Sequence, residues 1–88
     1  MADYKITFAR SARKELENLP ADIADRILRK IEALALNPRL PGVIKLQGSR
    51  NLWRLRVGDY RVVYSINDFS RMVDIAVIRH RRDVYRDL

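Results

Sequence analysis

Between Trp53 and Ile66 the chain alternates. Apolar or aromatic residues stand at 53, 55 and 57 and again at 60, 62, 64 and 66, with arginine at 54, 56 and 61. Gly58-Asp59 separates the two runs, and Gly beside Asp suits a two-residue hairpin turn, whose backbone needs positive φ. With these two residues at the turn, Val57 pairs with Tyr60, Arg56 with Arg61, and Arg54 with Val63. Successive side chains of a strand point to opposite faces. One face of the hairpin therefore carries Trp53, Leu55, Val57, Tyr60, Val62, Tyr64 and Ile66, and the other carries Arg54, Arg56 and Arg61. The first face requires a core. The second presents three guanidinium groups and suits a polyanion.

The same patterning places the remaining elements. Residues 4–8 alternate and predict a strand. Ala9 to Asn18 predicts a short helix, ended by Pro20, which in turn suits the first turn of a second helix. That second helix, Ala21 to Leu36, carries Ile23, Ile27, Ile31 and Leu34 as one apolar stripe. Asn37-Pro38 stops it, and residues 37–51 read as an irregular connection. After the hairpin, residues 67–70 form a turn and Met72 to Ile78 a further strand. The order β-α-α-β-β-β predicts an α+β domain spanning 1–88, with a helical hairpin packed on one face of an antiparallel sheet. In the last strand Val73, Ile75 and Val77 share a parity with Arg79. Either the strand stops short of Arg79 or its apolar residues line the open face.

Charge sharpens this picture. The 88 residues carry a formal net charge of +7, and 14 of the 18 basic side chains are arginine, whose planar fork grips phosphate. Residues 1–44 hold 8 basic and 6 acidic side chains, and residues 45–88 hold 10 and 5, so the excess lies in the half with the hairpin. Nucleic acid is the first candidate partner and an acidic protein the second. No apolar run reaches the length of a membrane span. The N-terminal residues lack the apolar core of a signal peptide. The absence of cysteine excludes disulfides and thiolate metal sites. A cytoplasmic protein is the simplest expectation.

With no cysteine, one histidine and scattered carboxylates, the chain offers no thiol nucleophile, zinc spacing, glycine-rich phosphate loop or two-metal cluster, and no cofactor is implied. What remains is metal-free chemistry on phosphate. RNA supplies its own nucleophile, the 2′-hydroxyl. The enzyme must align the attack, neutralise charge growing on phosphate oxygens and move two protons. Arginine does the second task well but holds its proton too tightly for the third. The candidates for proton transfer are Lys45, His80 and Tyr85. A lone histidine is as readily an ordinary surface residue, whereas for Tyr85 packing on a sheet edge is the lesser alternative. Arg79, Arg81, Arg82 and Arg86 surround these two as a candidate second wall of the site, although Arg81, Arg82 and Arg86 read more readily as solvated charges than as specific contacts.

The string KLQG, then LWRLRVGDYRVVYSI, then HRRDVY resembles the RelE/ParE superfamily of toxins from bacterial and archaeal toxin–antitoxin modules, along nearly the whole chain and closest to the RelE branch. The resemblance implies a microbial-RNase-like α+β fold and a ribosome-dependent mRNA endoribonuclease that cuts in the A site without metal. It implies catalytic roles for Arg54, Arg56, Arg61, Arg79 and Tyr85, with Lys45 bordering the site and His80 and Arg81 beside it. Lysines stand at positions 54 and 56 in the best-known RelE pattern, which shifts the general base towards Tyr85, His80 or the RNA itself. It further implies a RelB-like antitoxin as partner, with operator DNA bound only through that complex. Two alternatives stay open: a ParE-like inhibitor of DNA gyrase, and a non-catalytic module that keeps the toxin fold for binding.

Overall fold

The computed structural model describes residues 3–82. The elements run β1 (Lys5–Phe8), α1 (Arg10–Glu17), α2 (Ala21–Leu36), β2 (Ile44–Lys45), β3 (Trp53–Val57), β4 (Tyr60–Asn67) and β5 (Met72–His80). Helix α2 has the bounds that its apolar stripe predicts. It starts after Pro20, which lacks the N–H that a first turn leaves unpaired, and Asp22 in its first turn favours the positive end of the helix dipole. Its Ile27, Ile31 and Leu34 are fully buried, and they join Leu55, Val62, Tyr64, Val73, Ile75 and Ile78 in one core between helices and sheet. Helix α1 adds Ala12 to that core.

The sheet has five strands in the order β1-β5-β4-β3-β2. The hairpin register is the expected one: Val57 faces Tyr60, Arg56 faces Arg61 and Arg54 faces Val63. Gly58 adopts φ +59, a left-handed conformation that a Cβ disfavours. Two features differ from the sequence reading. The sheet is mixed, because β1 docks in parallel on β5. Residues 37–51 also contain the two-residue strand β2, which pairs Ile44 with Arg54 and Lys45 with Trp53 and is too short to show any alternation in sequence.

The question of Arg79 is answered by neither of the two expected routes. Strand β5 continues through His80, and its register against β4 shifts between Val63 and Tyr64. Tyr64 faces Ile75 while Val63 faces Val77, so Ala76 is an extra residue, a β-bulge. The bulge reverses parity. Ile75 and Ile78 are both buried in the core, and Arg79 turns to the face opposite the helices.

The end of the sheet remote from the hairpin turn is tied by side chains. The Tyr64 hydroxyl donates to the Pro38 carbonyl at 2.6 Å inside the core, and burial pushes its pKa up. Asn51 acts like a strand residue towards Ile66, donating from Nδ2 to its carbonyl at 2.6 Å and accepting from its N–H at 3.2 Å. Arg39 makes a two-pronged contact with Asp68, at 3.2 and 3.0 Å, and its guanidinium also lies 5.0 Å from the centre of the Trp53 ring.

Candidate nucleic-acid interface

Three strands place one arginine each on a single cross-strand rung. Arg56 of β3 faces Arg61 of β4, and Arg61 faces Arg79 of β5. Neighbouring strands lie about 4.8 Å apart, so the three side chains rise side by side from the face opposite the helices. Arg54 lies two residues along β3 on the same face. Arg56 is exposed, while Arg54, Arg61 and Arg79 are half-buried. The Nε atoms of Arg54 and Arg61 are out of solvent. Arg56 Nε donates to the Gly58 carbonyl and Arg61 Nη1 to that of Tyr60, each at 3.4 Å. Like charges directly opposite one another in a sheet repel, so the rung concentrates positive charge on this face. Val63, between Arg54 and Val77 in register, forms a fully buried apolar floor beside it.

The other residues singled out in sequence are distributed differently. Lys45 faces Trp53 in register and its Nζ lies 5.8 Å from the indole centre, so it shares the parity of the apolar face and not that of the arginines. His80 faces Tyr60, and their rings meet edge to face at 5.5 Å, again on the helix side. Its Nδ1 accepts from the Arg82 N–H at 3.3 Å. Arg81 is exposed beyond the end of β5, and its N–H donates to the Asp59 carbonyl at 2.7 Å beside the hairpin turn. Tyr85 lies outside the described residues. Among the described residues no cluster of His, Asp or Glu has the makings of a metal site.

Two features escaped the sequence reading. The arginine face continues into a polar patch in which Asp74 faces both Ser65 and Thr7. The signal for it was the outward parity of Asp74 among Val73 and Ile75. The helix side holds a groove of about 760 Å³ bordered by Lys30, Leu40, Pro41, Leu55, Arg56 and Gly58. It arises where β2 ends and leaves the edge of β3 uncovered, which no local pattern announces.

A two-helix layer on a mixed five-stranded sheet, with a row of arginines on the opposite face, defines a small basic α+β protein. Residues 6–85 match the sequence model of the family described as ParE toxin of type II toxin-antitoxin system, parDE. Toxin RelE3 of Methanocaldococcus jannaschii is 32% identical over 85 residues, spanning 92% of this chain and 94% of that protein. Toxin RelE of Mycobacterium tuberculosis is 33% identical over 84 residues, spanning 94% and 87%. The RelE–RelB complex of Pyrococcus horikoshii superimposes with a TM-score of 0.80 at 32% identity, covering 90% of this chain and 96% of that one. The chain belongs to the RelE/ParE family of type II toxins. The Escherichia coli RelBE complex, at 23% identity and a TM-score of 0.79, covering 88% and 95%, shares the fold. No helix of the described residues is long and apolar enough to cross a membrane.

Proposed function

We propose that this chain is a ribosome-dependent mRNA endoribonuclease that arrests translation in the cytoplasm. One observation carries the reading: Arg56, Arg61 and Arg79 form a single rung across three strands, with Arg54 beside it. An RNA strand laid along that rung brings a phosphate between forks that match its oxygens. The 2′-hydroxyl attacks the adjacent phosphorus, the new 2′-O–P bond forms, and the P–O5′ bond breaks to leave a cyclic phosphate and a 5′-hydroxyl. The arginines stabilise charge on the non-bridging oxygens, a contribution typically worth 10²–10³ in rate per donor. They do not move the protons. With Lys45 and His80 on the helix side, that task passes to Tyr85, to the ribosome or to the RNA itself. No metal enters the scheme.

The partner in this reading is a RelB-like antitoxin. The relatives crystallised with RelB support it, and so does the groove of about 760 Å³, whose apolar wall of Leu40, Pro41 and Leu55, bordered by Lys30, Arg56 and Asp59, suits the apolar face of a partly helical segment. A second reading, inhibition of DNA gyrase, is favoured by the ParE description of the matching family.

Primer extension on a reporter mRNA in a cell-free translation reaction separates the two. The expected result is cuts that appear only on translated mRNA, in phase with codons, and are lost with folded Arg61→Ala. Intact mRNA together with trapped gyrase–DNA cleavage complexes would establish the second reading.

A further inference from the structure

The face that carries the arginine rung also carries a carboxylate. Alternation along β4 brings Arg61, Val63 and Ser65 to the same face; Ser65 is opposite Asp74, and Asp74 is opposite Thr7 of β1. Asp74 is half-buried, and the Thr7 hydroxyl donates to its Oδ1 at 2.8 Å, with a longer approach to the Val73 carbonyl at 3.5 Å. Asp74 takes part in no ion pair among the described residues, and it is the sole carboxylate that the described strands place on this face. Four residues of β4 separate its rung from the arginine rung, about 13 Å at roughly 3.3 Å per residue. A short single-stranded segment spans that distance.

A carboxylate repels phosphate, so its presence on a polyanion-binding face needs a reason. Tethering β1 through Thr7 requires only an acceptor, and an amide would supply one without the charge. A carboxylate has about four acceptor positions, and Thr7 occupies one. What a carboxylate accepts from on a nucleic acid is the amino edge of a base, while phosphate is held elsewhere. Single-stranded RNA is read on these edges once its bases are splayed apart.

We propose that Asp74, oriented by Thr7, is a specificity residue that accepts a hydrogen bond from the exocyclic amino group of a base in the RNA strand held on the Arg56–Arg61–Arg79 rung. It selects adenine, cytosine or guanine over uracil at one fixed position relative to the cut. This inference rests on the proposed function, because it needs RNA on this face.

The test is to sequence the 5′ ends that wild type and Asp74→Asn produce in a cell-free translation reaction. Asparagine keeps the acceptor for Thr7, so the fold is retained, but it adds an amide donor that suits the uracil carbonyl. Wild type is expected to disfavour uracil roughly tenfold at one fixed position. In Asp74→Asn that bias should fall to near parity at the same position. Thr7→Val should relax the bias in part. Identical cut-site distributions from wild type and a folded Asp74→Asn would overturn the inference and leave the nuclease reading standing. Failure of wild type to cut RNA at all would remove both.

Discussion

Tyr4, Arg39 and Asp68 come from three separate parts of the chain, and their contact closes the end of the sheet remote from the hairpin turn. The Asp68 carboxyl is held down at about 2, first by the hydrogen bond from Arg39 and then by that from Tyr4, whose hydroxyl donates at 2.5 Å. A carboxyl that ionises more readily in the folded state stabilises above its unfolded pKa, about 4, and loses that contribution as pH falls through its folded value. Asp68→Asn should therefore flatten part of the drop in melting temperature that wild type shows between about pH 4 and pH 2. Equal slopes for the two proteins would mean that the contact contributes nothing. None of this cluster is legible in sequence. Arg39 and Asp68 are 29 residues apart, and nothing local marks an arginine for a carboxylate rather than for RNA. Lys45 illustrates the converse: its sequence neighbours suggest a site, and its cross-strand partner Trp53 gives it another face.

Elements were read with uneven success, for reasons of period. The hairpin and α2 carry strong repeats of two and of three to four residues, and each occupies the register or bounds expected of it. Strand β5 carries a strong repeat too, but Ala76 breaks it, and a bulge leaves no signature in a run of small and β-branched residues. The consequence is sharp because adjacent residues at the end of β5 exchange roles. Arg79→Ala should lower mRNA cleavage about a hundredfold with little change in stability. His80→Ala should leave cleavage within a few-fold and instead weaken the edge-to-face contact with Tyr60, a loss of about 1 kcal/mol on melting. Single-turnover cleavage and thermal melts of both variants check this. A reversal of the two effects would place the working face on the helix side.

At the scale of the whole molecule, the net charge of +7 acts through its distribution. The helices carry their own acids, seen in the exposed Arg13–Glu17 and Arg29–Asp25 pairs, which are worth little energetically but balance local charge. The arginine face has a single carboxylate among its described strand residues. Binding of a single-stranded RNA should therefore show steep salt dependence, with log K falling by roughly 0.7 per phosphate contacted for each unit of log salt. Four arginines predict a slope near −3, and Arg56→Ala should reduce its magnitude by about 0.7 in a fluorescence titration from low to physiological salt. A slope near zero would exclude the face as a phosphate platform.

The position of β5 has a bearing on how the chain comes to exist at all. It is the last of the described strands in sequence and lies between β1 and β4 in space. Domains fold as they emerge during synthesis, yet β1 has no sheet to join until residues 72–80 have emerged. The growing polypeptide therefore holds two helices and a hairpin without a finished sheet, and the row of three arginines lacks its third member. The arginine row is in this way completed only by the strand that also admits β1 to the sheet.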